Sequence, residues 1–171
     1  STPLPITSPL RIQQRLPNPP ANETFLLTVM AEIALAVEDW RQAYKLASAV
    51  MFADPDDFRA LLTLSRANQA VGNYHEAFGN ALRAHKVFQG SPQAILQMMR
   101  CMNKLGDYYT AIGMGRELAV QEAATPEIYT VASMLSRARA DDPEAAAAWD
   151  DRMTSLHHGF ESLAISLRRE N

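Results

Sequence analysis

Apolar and polar positions along this chain recur with a period of 34 residues. Ala43, Ala77, Ala111 and Ala145 stand 34 apart each time. Trp40, Tyr74 and Tyr108 share a second phase, Asp39, Asn73 and Asp107 a third, and Gly72 and Gly106 a fourth. A fixed period of this length predicts an array of helix–turn–helix units, each unable to bury its apolar face without a neighbour. The units are expected over about residues 24–57, 58–91, 92–125 and 126–159, opening at Thr24, Phe58, Pro92 and Pro126.

The turns inside the units carry matching chemistry. They read Val37-Glu38-Asp39-Trp40, Val71-Gly72-Asn73-Tyr74 and Leu105-Gly106-Asp107-Tyr108. Glycine after the last helical residue permits a left-handed C-cap, and Asp or Asn next to it can cap the second helix. The aromatic is then expected to pack back on the first helix. The alanine three residues later is small enough for a close helix crossing. Glu38 replaces glycine in the first turn, which is tolerable if that turn is less strained. Pro92 and Pro126 open helices, where a missing N–H matters least.

The last helix is predicted to start near Pro143, capped by Asp142, and to run to about Arg168. Along it Trp149, Met153, Leu156, Phe160, Leu163 and Leu167 alternate spacings of four and three. That seven-residue pattern has two readings: a capping helix folded onto its own array, or a self-association seam that makes a homodimer.

On Asp39-Trp40-Arg41-Gln42-Ala43, Gly72-Asn73-Tyr74-His75-Glu76-Ala77 and Gly106-Asp107-Tyr108-Tyr109-Thr110-Ala111, the chain resembles the tetratricopeptide repeat family over about residues 24–157. The resemblance implies an all-α helical solenoid: three good repeats, a degenerate fourth and a long C-terminal capping helix, together spanning 23–171. The family's large aromatic at the fourth position of each unit is Leu27, Leu61 and Ile95 here. In the fourth unit, Asp141-Asp142-Pro143 stands where glycine and an aromatic belong.

Family geometry lines the concave face with the second, fifth, ninth and twelfth positions of each unit. Those are Phe25, Arg59 and Gln93; Thr28, Leu62 and Leu96; Glu32, Arg66 and Arg100; Leu35, Gln69 and Asn103. The implied groove is mixed, with apolar patches at Phe25, Leu35, Leu62 and Leu96. Its cations are Arg59, Arg66 and Arg100, with Lys104 near. It suits an extended peptide whose carbonyls or acidic residues meet the arginines. Some of these leucines equally suit the core between helices. Met30 and Met98 share the seventh position, which in the family is core. The pattern that grips chaperone C-terminal carboxylates is absent, because its places hold Thr28, Glu32, Thr63, Gln93 and Gln97. Size and groove character look like the class II chaperones of bacterial type III secretion, which bind an extended partner segment in the cytoplasm. The competing function is a structural subunit of a larger assembly, held by the last helix and the N-terminal tail.

Composition narrows the rest. The 171 residues are 47% hydrophobic and carry a net charge of −3, so nothing electrostatic points to nucleic acid. Cys101 is the only cysteine, which excludes an internal disulfide and fits a reducing compartment. No apolar run approaches the roughly 20 residues of a membrane span, and no leader peptide is visible. Residues 1–22 hold six of the ten prolines, at Pro3, Pro5, Pro9, Pro17, Pro19 and Pro20. That stretch is expected to be an extended tail, and its Leu4, Ile6, Leu10, Ile12 and Leu16 make it more apolar than a solvating linker.

Enzyme readings have little support. Asp150, Asp151, His157 and His158 read as solvated surface, since adjacent helical histidines point about 100° apart. His75 and His85 are isolated surface positions on second helices. Cys101, among Met98, Met99 and Met102, reads as a buried small hydrophobe. Gly113 and Gly115 lie in a helical pattern with no preceding strand, so they form no phosphate loop; close packing or a bend is expected there. No catalytic residue, metal site or cofactor is expected.

Overall fold

A computed structural model describes residues 21–169. The tail expected over 1–22 lies outside them, except that Ala21 and Asn22 already belong to the first helix. The described residues form eight helices: α1 (Ala21–Ala36), α2 (Trp40–Ala53), α3 (Phe58–Ala70), α4 (Tyr74–Val87), α5 (Pro92–Leu105), α6 (Tyr108–Val120), α7 (Pro126–Ala138) and α8 (Pro143–Arg169). Each packs on the next. The first helices of the units also touch in succession, α1 on α3, α3 on α5 and α5 on α7. They therefore make the inner row of the solenoid.

Small residues make the crossings possible. Ala43, Ala77 and Ala111 are fully buried, as are Ala47, Ala81 and Ala84 on the same helices. The three inner turns share one geometry. Asp39 N–H donates to Ala34 O at 2.9 Å, Asn73 N–H to Asn68 O at 2.8 Å and Asp107 N–H to Met102 O at 2.9 Å. Gly72 and Gly106 adopt φ of 89° and 87°. Glu38 does the same at 63°, so the first turn is no less strained than the others, and a side chain sits where its equivalents have none. Asp39 caps α2 through Gln42 N–H, and Asp142 sits before α8 with Ala145 N–H on its carboxylate. Asn73 and Asp107 make no such cap bond.

The fourth unit departs from strict periodicity. Its turn is one residue longer: Asp142 N–H reaches back six positions to Ser136 O at 2.8 Å, and Asp141 takes the positive φ of 52°. The close-crossing alanine is consequently Ala146, at 0% exposure, and Ala145 is only half-buried. The hydroxyl of Ser65 donates to Ala77 O, and that of Ser133, two periods on, donates to Ala146 O.

The largest core cluster lies at this end. It gathers Ile95, Met99, Ile128, Tyr129, Leu135 and Trp149, with the Tyr129 and Trp149 rings 5.9 Å apart. Gly115 earns its place there. A Cβ on it would lie 3.1 Å from the Met99 side chain and 3.5 Å from Ala132. Gly113 meets only open space, and nothing in the structure explains it. Two core expectations need correction. Met98 is buried but Met30 is 42% exposed, because α1 has no described helix on that side. His85 is half-buried rather than a plain surface residue, with Nδ1 enclosed and unpartnered.

Candidate functional site

An open cleft of about 1030 Å³ runs across the inner row, at the upper end of the range for ligand clefts. Helix α1 contributes Glu32, Leu35 and Ala36. Helix α3 contributes Arg59, Leu62, Thr63, Arg66, Gln69 and Ala70, and α5 contributes Gln93 and Lys104. Helical spacing explains the set, since Arg59, Leu62, Arg66 and Gln69 are three and four apart and share a face. Trp40 and Tyr74 complete the wall from the starts of α2 and α4.

Of the residues expected in the groove, Glu32, Leu35, Arg59, Leu62, Arg66, Gln69 and Gln93 line this cleft. Phe25 stands at its edge, 60% exposed, with the Arg59 guanidinium carbon 5.6 Å from its ring centre. Thr28 is a correction: it is 3% exposed and its hydroxyl donates back to Thr24 O, so it has no face to offer a ligand. Leu62 is 6% exposed and belongs to a core cluster with Leu61, Ala84 and Ala94, so replacing it would test the fold before the groove. Leu96, Arg100 and Asn103 are half-buried and do not line the cleft, and Leu96 packs on the large core cluster.

Trp40 and Tyr74 are the aromatic residues that sequence reasoning missed as groove lining, with Ala36, Thr63 and Ala70 beside them. The common phase of the two aromatics was visible. Each begins a second helix beside the end of a first helix, and the side chain folds over that end into the cleft.

Charge is distributed unevenly. Arg59 Nε donates to Glu32 Oε1 at 2.8 Å, closing a two-pronged pair between the ninth position of one unit and the second of the next. One unit on, the same relation sets Gln93 against Arg66, so Arg66 has no carboxylate there. Arg66, Arg100 and Lys104 make no ion pair or side-chain hydrogen bond among the described residues. Desolvation, then the like charge of Arg100, pulls Arg66 below the usual arginine range, with Glu32 opposing. Arg100 in turn contributes to holding the Glu127 carboxyl low, after backbone and Thr125 hydrogen bonds. The cleft of an acidic protein is therefore positive, and one of its cations sits in a partly dehydrated position where an anionic ligand group gains most.

The other candidate surface divides in two. Trp149 is 6% exposed, and Met153 and Leu156 are half-buried and pack on the large core cluster, so these three cap the array. Phe160, Leu163 and Leu167 are 62%, 55% and 54% exposed on the distal half of α8. His157 and His158 both lie near Glu161. No group of three or more metal-ligating side chains comes together among the described residues. Cys101 is fully buried, and burial pushes its thiol above the usual range. No described helix is long and apolar enough to cross a membrane.

No protein-family model matches the chain, and no curated protein matches it. Solved structures do. A crystal structure of MamA superposes with a TM-score of 0.72 at 12% identity, covering 90% of this chain and 86% of that one. A crystal structure of PcrH in complex with the chaperone binding region of PopB gives a TM-score of 0.56 at 21% identity, covering 81% of this chain and 99% of that one. Both are tetratricopeptide-like helical repeat structures, and the chain has that fold.

Proposed function

We propose that this protein binds an extended segment of a partner protein in the cleft, as a chaperone or adaptor. The observation that carries the reading is the cleft's pairing of an apolar wall with positive charge that has no ion pair among the described residues. Leu35, Trp40 and Tyr74 offer surface to apolar side chains, and Arg66 and Lys104 offer donors to carbonyls or acidic side chains. An extended chain presents alternate side chains to such a wall and leaves its backbone free to meet polar groups. The likeness to PcrH, which holds the chaperone binding region of PopB, supports the same mode here. On this reading the protein is similar in role to type III secretion chaperones and works in the cytoplasm.

The exposed distal half of α8 favours a second reading, a structural subunit docked into an assembly through that helix. One experiment separates the two. A photo-crosslinking residue is placed at Gln93, in the cleft, or at Leu167, on α8, and each full-length chain is illuminated in native lysate. Crosslinks from Gln93 to one short stretch of a single protein support the cleft reading. Crosslinks from Leu167 alone overturn it in favour of the assembly subunit.

A further inference from the structure

The face that α1 leaves open is the face that every later first helix buries. One 34-residue period carries Leu26, Met30 and Ile33 onto Ala60, Leu64 and Ala67. A second carries them onto Ala94, Met98 and Cys101, and a third onto Ile128, Ala132 and Leu135. Those nine residues are between 0% and 7% exposed. Leu26, Met30 and Ile33 are 58%, 42% and 58% exposed. In the second unit the cover includes the helix immediately before: Ala60 and Leu64 pack with Ala47 and Val50 of α2, and Ala67 with its Ala43. The open row on α1 is thus a stacking face without its partner among the described residues, and three large apolar side chains there are costly to leave in water.

We propose that residues 10–16 of the same chain cover this face, in the place a preceding second helix would take. Three observations select that occupant. The segment directly precedes α1, as α2 precedes α3. Residues 17–20 leave a four-residue connection, the length that joins α2 to α3 across 54–57. The segment has the right chemistry: Leu10, Ile12 and Leu16 fall on even positions and so share one side of an extended chain, interrupted by Gln14, with Arg11, Gln13 and Arg15 on the other. Side-chain size fits as well. Leu26 and Ile33 are bulkier than Ala60 and Ala67, so the face does not need the close helix approach that alanines allow. Seven extended residues span about 23 Å, and the row from Leu26 to Ile33 is about 10 Å long, so the segment covers it with length to spare.

The proposal does not depend on the cleft. It is tested by hydrogen exchange, read by mass spectrometry, on the full chain and on a full chain carrying Leu10→Glu, Ile12→Glu and Leu16→Glu. The expected result is exchange at least about tenfold faster in α1 of the variant, with α5 to α7 unchanged, because only α1 loses its cover. Unchanged exchange in α1 overturns the proposal. So does light scattering that finds a wild-type dimer dissociated by Met30→Glu and untouched by the triple substitution, since a second copy would then be the occupant.

Discussion

Glu38 offers a quantitative test of the repeat geometry. It stands where the next two units place Gly72 and Gly106, and it shares their left-handed conformation, with φ of 63° against 89° and 87°. A residue with a Cβ gives up about 1–2 kcal/mol in that region. Glycine removes the strain but returns about 0.5–1 kcal/mol through its freer unfolded chain. The Glu38 backbone N–H donates to Leu35 O at 3.1 Å, a bond that glycine keeps, and the exposed side chain makes no ion pair among the described residues. Glu38→Gly should therefore stabilise the first unit by about 0.5–1 kcal/mol, and Gly72→Glu should destabilise the second by a similar amount. Urea unfolding followed by tryptophan fluorescence suits the test. Trp40 lies in the first unit and Trp149 in the last, so a Trp149→Phe background reports the first unit alone. With a slope of about 1–3 kcal/mol/M, the midpoint should rise by roughly 0.2–1 M. A midpoint that stays or falls, while Gly72→Glu lowers its own, would refute the shared turn geometry.

Three further outcomes follow from the same contacts. Trp149→Ala should cost about 3–5 kcal/mol by chemical denaturation, as a buried aromatic does. Leu167→Ala, on the exposed distal half of α8, should stay within about 0.5 kcal/mol, and equal costs would mean that the capping half of α8 is assigned wrongly. Gly113→Ala, in a helix interior with open space around the Cβ position, should raise stability by about 1 kcal/mol, and a loss would reveal a close contact there. The Asp150 carboxyl is held below the usual carboxylate range by the nearby Ser133 hydroxyl and then by Arg137, which donates to its Oδ2 at 2.9 Å. Its folded-state affinity for a proton is lowered, so its contribution is present at neutral pH and fades as pH falls through the ordinary range to the depressed value. Asp150→Asn should flatten the acid side of a stability–pH curve, and an unchanged curve would show that the pair with Arg137 contributes nothing in solution.

What the chain determines by itself is what local chemistry can encode. The 34-residue period, the turn residues at Gly72 and Gly106, the small residues at Ala43, Ala77 and Ala111, and Pro143 at the start of the last helix each act within a few residues of their own position. Those features made the all-α solenoid and most of its helix boundaries legible. The features that were not legible depend on distance and direction between helices. One residue inserted before Asp142 moves the close crossing from Ala145 to Ala146, and a period count cannot see an insertion that a turn absorbs. Thr28 occupies a groove position in the repeat yet turns inward, because helix rotation is set by packing against neighbours rather than by sequence number. Trp40 and Tyr74 reach the cleft because each second helix begins beside the end of a first. Glu32 neutralises Arg59 and leaves Arg66 without an ion pair among the described residues, a fact about charges 27 and 34 residues apart in sequence that only stacking brings together. Local rules choose the elements, and the tertiary structure decides which face of each one meets water, a neighbour or a ligand.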